Sequence, residues 1–265
     1  MKALEGVFSA PLSGRSVKPR KVGYTMVIDK GLGVNATKDL MDTAADYIDS
    51  LKQTFGTSAF FNERLMREKV EIVKAAGVNV YPGGTFLEIA VWQGRVQEYL
   101  NRVKELGFTG VEVSDGTIEM SETQRHDAIK RAVDMGFLVI TEVGKKDPND
   151  KVGIPKMHAD ISKDLELGAY KVIVEARESG KGVGIFNAAG EPDAEEVENI
   201  ISGLDDPNCL IWEAPLKNQH VFLIKRFGIN VNLGNVPPEE VLVLEALRNG
   251  MRGDTLKMAF LGKMK

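Results

Sequence analysis

Acidic side chains stand near the carboxyl ends of several apolar runs in this sequence. Glu112 lies in the run GVEVSD, Glu142 in FLVITEV and Glu175 in KVIVEAR. If these runs are adjacent parallel strands, their carboxyl ends meet at one edge and the three carboxylates converge there. Carboxylate oxygens are the ligands that a hard cation such as Mg²⁺ prefers. The sequence therefore predicts a Mg²⁺ site held by Glu112, Glu142 and Glu175.

Basic side chains accompany these carboxylates at the ends of the same and neighbouring runs. They are Lys30, Lys52, Lys145, Lys146, Arg177 and Lys181. This is more positive charge than three carboxylates need, so the excess predicts an anionic substrate and favours more than one bound anion. As an alternative, one or two of the carboxylates form purely structural ion pairs with Lys52, Lys145 or Arg177. Lys52 or Lys30 could also serve a Schiff-base aldolase, which leaves that class open.

Other polar residues at the run ends extend the predicted site. The segment RESGKG begins at Arg177 and includes Ser179 and Gly180. It combines a guanidinium, a hydroxyl and glycines that let backbone N–H groups approach, which are the elements of a phosphate cradle. Further candidate substrate-binding residues are Thr85, Ser114, Asp115 and Asn232. The three histidines, His126, His158 and His220, lack metal-ligand spacing and are predicted to lie on the surface.

A repeated pattern indicates the elements that must position these residues. An amphipathic segment ends in a glycine and is followed by a short β-branched run, at intervals of about thirty residues. The glycines are Gly77, Gly107, Gly136, Gly168 and Gly228, with a looser sixth copy at Gly203. Each glycine is expected to end a helix with a positive φ, and each run that follows is expected to be a strand buried on both faces.

Eight such strands predict a single-domain (β/α)₈ barrel spanning residues 21–265, preceded by a basic arm at 1–20. The predicted strands are VGYTMVID, ADYIDSLK, VNVYPG, GVEVSD, FLVITEV, KVIVEAR, CLIWEA and INVNLG. Helices are predicted at 62–76, at 121–135 with Ser121 as N-cap, and at 238–248 after Pro237. The runner-up, an open doubly wound sheet, predicts a G-x-G-x-x-G turn after strand one, which IDKGLGVNATKD lacks. The long connections at 145–156 and 177–192 follow strands five and six, on the side where barrels carry their chemistry.

The composition excludes several classes of partner and site. The net charge is −4 with no strongly basic half, so nucleic acid is not expected as a partner. A single cysteine, Cys209, allows no internal disulfide. The sequence has no signal-peptide core and no apolar run long enough to cross a membrane, so a cytoplasmic location is expected.

The strand-end segments resemble the phosphosulfolactate synthase family. The resemblance runs from about residue 18 to 260, and VEVSDG, TEVGKK and EARESGKG occur together and in order. It implies a TIM barrel that adds sulfite to the methylene carbon of phosphoenolpyruvate, depends on Mg²⁺, and forms 2-phospho-3-sulfolactate for coenzyme M or another sulfonate. It also implies a homo-oligomer, with a trimer as one expected form. Divergent relatives include plant stress-associated proteins, so a non-catalytic protein or another enolate-handling lyase or aldolase stays open.

The residues can be assigned roles in that reaction. Glu112, Glu142 and Glu175 would hold Mg²⁺ against the charge that develops on the substrate carboxylate. Lys145 would protonate C2, with Lys52 as the alternative donor. The phosphate would lie against Arg177, Ser179 and the glycine loop at Gly180. The sulfite or the carboxylate would lie against Lys30 and Lys146.

Overall fold

The computed structural model describes residues 3–147, 149–150 and 152–264, in which eight strands alternate with helices. The strands are β1 Thr25–Asp29, β2 Ser50–Gln53, β3 Asn79–Pro82, β4 Gly110–Val113, β5 Leu138–Val143, β6 Lys171–Val174, β7 Leu210–Glu213 and β8 Leu233–Val236. The helices are α1 Val34–Ala44, α2 Glu63–Ala75, α3 Gly84–Trp92, α4 Val96–Glu105, α5 Glu122–Asp134, α6 Ile154–Glu166, α7 Ala194–Ile201, α8 Lys217–Phe227, α9 Val241–Arg248 and α10 Gly253–Phe260.

The strands form one parallel sheet in the order β3-β2-β1-β8-β7-β6-β5-β4. The first and last strands, β1 and β8, pair directly, as a barrel requires and an open doubly wound sheet does not. The remaining seam lies between β3 and β4. There Thr109 donates its N–H to the carbonyl of Val80 at 3.0 Å, and its hydroxyl accepts from the Val80 N–H at 2.8 Å. The predicted (β/α)₈ barrel is confirmed.

Glycines end the helices where the repeat placed them. Gly77, Gly107, Gly136, Gly168 and Gly228 have φ values of 69°, 91°, 76°, 103° and 87°. The sixth copy is wrong, because Gly203 is not among the glycines with positive φ. A Cβ on Gly203 would lie 2.3 Å from the His158 ring, so the glycine is required there by close packing and not by the turn.

Three strands share the pattern Ile-x-Glu, which builds the barrel interior in two layers. Ile140, Ile173 and Ile211 point inward and pack with Tyr24, Met26 and Tyr81 into an apolar cluster inside the barrel. Side chains alternate along a strand, so the glutamate two residues after each isoleucine also faces inward, one layer nearer the carboxyl end. These glutamates are Glu142, Glu175 and Glu213. This apolar cluster, called the apolar floor below, thus lies directly beneath the three carboxylates.

Strands two and eight begin later in the sequence than predicted. As a result, one candidate residue lies before its strand and not near the strand's carboxyl end. Residues 45–47 form a 3₁₀ turn ahead of β2, and β8 begins only at Leu233. Asn232, just before β8, accepts from the N–H of Tyr24 and donates to the carbonyl of Leu210, groups that precede β1 and begin β7. Asn232 therefore lies at the amino end of the barrel, and its expected place at the mouth is wrong.

The N-terminal arm packs across this amino end. Leu12 is buried against the outer core, and its N–H donates to the carbonyl of Asn249. Arg15 and Arg20 form ion pairs of 3.1 Å with Glu245 and Asp49. The arm and α9 thus cover the end of the barrel opposite the carboxylates.

The helices start close to the predicted residues, whereas one histidine lies in the core and not on the surface as predicted. Ser121 caps α5 in a capping box with Gln124, and Pro238 begins a 3₁₀ turn that leads into α9. Helix α6 starts at Ile154, so the loop predicted at 145–156 is three residues shorter.

His220, predicted on the surface, is buried in α8, and burial lowers its pKa to about 4. Its backbone position in an amphipathic helix put it on the core face, which spacing alone did not reveal.

Candidate active site

A cavity of about 300 Å³ opens at the carboxyl end of the barrel. Its lining includes residues from every part of the mouth, namely Lys52, Thr85, Glu112, Glu142, Lys146, Glu175, Arg177, Glu178, Glu213 and Asn235. The sequence predicted seven of these ten as site residues. The cavity lies directly above the apolar floor inside the barrel, where ligand sites of barrel enzymes are found.

Three buried carboxylates lie together in this cavity. One oxygen from each of Glu142, Glu175 and Glu213 lies within 4.8 Å of the others, a grouping that can hold a metal ion. Such an all-oxygen set suits a hard divalent cation. This grouping shares Glu142 and Glu175 with the predicted one and contains Glu213 in the place of Glu112. The shared Ile-x-Glu pattern of β5, β6 and β7 was the signal for Glu213, since β4 carries Glu112 after a valine and a glycine.

Glu112 and Lys52 form the opposite side of the cluster. Glu112 accepts from the N–H of Gly84 at 2.7 Å, at the start of α3. The ammonium of Lys52 lies 3.0 Å from Glu112, 3.0 Å from Glu213 and 3.4 Å from Glu142. Burial alone would lower the pKa of Lys52, but the three carboxylates outweigh it and raise that pKa well above the ordinary value. Lys52 is therefore a permanent cation inside the cluster.

Lys146 is the lysine that borders the cavity. Its ammonium lies 2.8 Å from Glu142 and 3.1 Å from Glu175, and its side chain keeps 28% of its surface exposed. These two carboxylates outweigh burial and raise the pKa of Lys146. Gly116 makes room for it, because a Cβ there would lie 2.8 Å from the ammonium. Lys146 thus joins the carboxylate cluster to the open part of the mouth.

The carboxylates differ in their affinity for protons. Burial raises the pKa of Glu112 to about 7, with Lys52 only partly compensating. Burial, reinforced by Glu142 and Glu213, raises the pKa of Glu175 well above its ordinary value. For Glu142 burial acts in the same direction, but Lys146 and Lys52 outweigh it and lower the pKa. Burial and neighbouring carboxylates thus oppose the ionisation of Glu112 and Glu175, whereas the two lysines favour the ionisation of Glu142.

Lys145 lies outside this cavity, although it is the immediate neighbour of Lys146. Its ammonium donates to the carbonyl of Asp115 at 2.6 Å and lies 3.2 Å from the Asp115 carboxylate. It lines a separate cavity of about 590 Å³ between the loops that follow β5 and β6. Gly144, with φ of 110°, precedes the two lysines, whose side chains line different cavities. The structure therefore places Lys145 in the lining of this neighbouring cavity and not in that of the mouth.

Ser114 and Asp115 support the site without lining it. The Ser114 hydroxyl donates to Glu88 at 2.6 Å, and Asp115 lies 3.2 Å from Arg125. Glu88, which the sequence reasoning missed, is buried in α3 and also accepts from the N–H groups of Thr117 and Ile118. Glu88 therefore fixes the loop after β4. Its only sequence signal was an acidic residue in the otherwise apolar segment FLEIAVW.

The predicted phosphate cradle is brought only partly to the mouth. Arg177 lines the cavity, with φ of 62° and an exposed guanidinium. Ser179 is exposed outside the cavity lining. The carbonyl of Gly180 accepts from Gln219 at 2.7 Å, so this glycine packs against α8.

Lys30 and Thr85 lie at the rim. Lys30 is exposed and lines an adjoining cavity of about 400 Å³, which shares Ile28, Glu178 and Asn235 with the mouth. Thr85, in the first turn of α3, lines the mouth itself.

The chain resembles known proteins over most of its length. A family model described as (2R)-phospho-3-sulfolactate synthase (ComA) matches residues 13–254. A phosphosulfolactate synthase from Methanothermobacter thermautotrophicus is 43% identical over 244 residues, which cover 91% of this chain and 94% of the relative. Those from Methanocaldococcus jannaschii and Bacillus subtilis are 45% and 38% identical, covering 88% and 94% of this chain and 93% and 98% of the relatives.

Solved structures that match support the fold alone. The YdjI aldolase from Escherichia coli K12 aligns with a TM-score of 0.54 at 13% identity, covering 92% of this chain and 94% of the aldolase. A 2,3-dimethylmalate lyase of the PEP mutase/isocitrate lyase superfamily aligns with a TM-score of 0.52 at 14% identity, covering 90% and 82%. Within the described part of the chain, none of the helices has the length and apolar character to span a membrane.

Proposed function

The chain belongs to the (2R)-phospho-3-sulfolactate synthase family, an enzyme family, and we propose that it adds sulfite to phosphoenolpyruvate to form 2-phospho-3-sulfolactate. The observation that carries the proposal is the buried cluster of carboxylates and lysines beneath an open cavity. A reaction between two oxyanions needs cations to bring them together, and a reaction through an electron-rich carboxylate needs positive charge beside it.

The proposed reaction forms one carbon–sulfur bond and one carbon–hydrogen bond. The sulfur lone pair of sulfite attacks C3 of phosphoenolpyruvate. The π electrons of the C2–C3 double bond move to C2 and are delocalised into the carboxylate. A proton then adds to C2, and the phosphate ester stays intact. The overall change needs no oxidant and no leaving group.

The residues at the mouth fit a divalent cation, for which we propose Mg²⁺. Glu142, Glu175 and Glu213 would hold it, since their oxygens lie within 4.8 Å of one another and are buried. When bound, the cation would supply positive charge against the carboxylate as electrons accumulate on it.

Among the lysines, we propose Lys146 as the proton donor to C2; a cation bound to Glu142 and Glu175 would offset the two carboxylates that raise the pKa of Lys146, and so would ease loss of its proton. Its ammonium borders the cavity, whereas Lys145 faces Asp115 on the outer side. Lys52 is enclosed by three carboxylates and would instead hold them in place. Arg177 presents an exposed guanidinium at the rim, suited to the phosphate.

Purified protein with phosphoenolpyruvate, sulfite and Mg²⁺ tests this proposal. We expect consumption of phosphoenolpyruvate and a sulfonated phosphoester in the mass spectrum, both abolished by chelation and restored by added Mg²⁺. Folded, metal-loaded protein that forms no such product would refute the reaction. Borohydride treatment with substrate checks the aldolase alternative, because only a Schiff-base enzyme is trapped covalently.

We further propose a cytoplasmic homo-oligomer whose product feeds synthesis of coenzyme M or another sulfonate. The surface that supports oligomerisation lies along α2, α3 and α4, beside an apolar groove of about 380 Å³. Phe60 and Trp92 expose 89% and 76% of their surface there. Large apolar side chains at this exposure are typical of surfaces that another subunit covers.

A further inference from the structure

Strand β8 contains a bulge next to the carboxylate cluster. Thr25 pairs with Leu233 and Val27 pairs with Val236, so two steps along β1 correspond to three along β8. The extra residue falls at Gly234 and Asn235, and Asn235 has φ of 52°. Bulges near active sites re-aim a side chain that strand alternation would send elsewhere.

The bulge turns Asn235 into the cavity. Gly234 faces the barrel interior, because a Cβ there would lie 2.5 Å from Met26. Regular alternation would send the next side chain outward into the apolar layer beneath the helices. Instead Asn235 lines the mouth, and Val236 packs in the outer layer. The left-handed conformation of Asn235 thus accompanies the placement of an amide in the cavity that the carboxylates line.

Backbone strain is concentrated at this cavity. Among the described residues, the non-glycine residues with positive φ are Phe55, Arg177 and Asn235, and all three line the mouth. Such conformations are costly and cluster where they serve a ligand site. An asparagine tolerates this region better than most residues, but glycine would adopt it without strain.

The cavity also contains buried oxygens that accept no hydrogen bond. Among its described lining residues they are Oε2 of Glu112, Oε2 of Glu175 and Oδ1 of Asn235. The two carboxylate oxygens lie 3.0 Å from Lys52 and 3.1 Å from Lys146, within ion-pair distance. The Asn235 side chain is 3% exposed, and only its amide nitrogen is engaged, donating to the carbonyl of Arg177 at 3.4 Å. A buried acceptor without a donor points to a bound partner.

We propose that Oδ1 of Asn235 is a further oxygen ligand for the divalent cation, directly or through a water. This rests on the proposed function, because fully ionised phosphoenolpyruvate and sulfite offer no hydrogen-bond donor to an amide oxygen. Amide carbonyls are hard ligands that bind Mg²⁺ alongside carboxylates. The place of Asn235 in the barrel agrees with this role, since β5, β6 and β7 supply the three carboxylates and β8 is the next strand around the barrel.

Binding of Mn²⁺ to the full chain without substrates tests the proposal, followed by electron paramagnetic resonance and calorimetry. Asn235→Gly removes the oxygen and also the strain, so it should fold as well as wild type while its Mn²⁺ affinity falls about tenfold or more. Asn235→Ala should lose affinity equally, whereas Asn235→Asp, which keeps an oxygen at the same place, should bind at least as tightly as wild type.

Wild-type affinity in folded Asn235→Gly would overturn the inference, as would an Asp variant that loses as much affinity as the glycine variant. The readout is independent of turnover. A wild-type protein that binds Mn²⁺ with this pattern of variants but forms no sulfonated product would support the ligand assignment and refute the proposed function instead.

Discussion

Replacing Lys146 with methionine is the sharpest test of how the mouth works. Lys145→Met is a matched control, because it removes the same side chain from the adjacent position. Methionine keeps much of the apolar stem of lysine and removes only the charge. The two variants differ in which cavity loses an ammonium, and Lys146→Met also removes the cation partner of two buried carboxylates, which the unfolding measurement must account for.

The expected magnitudes follow from the contacts. A positioned general acid contributes about 10²–10⁴-fold, so Lys146→Met should lose about 3–5 kcal/mol of transition-state stabilisation in kcat. Lys145 pairs with Asp115, and both side chains are about one quarter exposed, at 22% and 24%. Such a pair contributes at most about 1 kcal/mol to stability. Because Lys145 does not reach the cavity, kcat of Lys145→Met should stay within about threefold of wild type.

Initial rates of phosphoenolpyruvate consumption give kcat and KM, and thermal unfolding shows whether each variant is folded. The configuration at C2 of the residual product adds a second readout. A proton delivered by Lys146 reaches one face of C2, so residual product from Lys146→Met should lose stereochemical purity. A folded Lys146→Met with wild-type kcat, or a hundredfold loss in Lys145→Met alone, would refute the assignment of the proton to Lys146.

Three further predictions concern the metal, the pH and the assembly. Glu213→Gln should weaken Mn²⁺ binding by about tenfold or more, and more than Glu112→Gln does, as calorimetry would show; equal effects would contradict the grouping of β5, β6 and β7. The folded-state pKa of His220, about 4, lies below the ordinary 6.5, so the unfolded chain binds the proton first and stability is lost as the pH falls from 6.5 towards 4. At pH 5 this loss is about 2 kcal/mol relative to pH 7.5, and the free energy of unfolding of wild type minus that of His220→Gln, from urea titrations, should fall by that amount; a difference that does not change with pH would contradict it. Trp92→Asp should yield a smaller species in light scattering with its fold retained, whereas an unchanged mass would remove this face from the interface.

The sequence predicted the barrel well because its periodic features are local. A helix that ends in a glycine such as Gly77 needs only its own backbone to adopt positive φ, and a β-branched run needs only burial. The errors fall where the outcome depends on how two strands pair. Asn235 reaches the mouth because the bulge against β1 turns its side chain inward, and regular alternation along the strand does not predict that bulge.

The sequence also could not show which of Lys145 and Lys146 lines the mouth, because this too depends on the path of the backbone. The two are adjacent and chemically identical, and only the backbone path of the loop after β5 decides which one lines the mouth. Glu142 and Glu175 were placed correctly because they stand on the inward face of their strands, two residues after an inward isoleucine. Counting that spacing on β7 would have added Glu213 as well.

The apolar floor inside the barrel imposes an order of events. Met26, Tyr81 and the three inward isoleucines fill the barrel interior beneath the carboxylates, and the arm covers the amino end. Ions and substrates therefore reach the carboxylates through the opening at the carboxyl end of the barrel. An ion held by Glu142, Glu175 and Glu213 would lie beneath the organic substrate, so it would enter before the substrate and leave after the product. Compulsory-order kinetics, with the cation binding first, would be the signature of this single entrance.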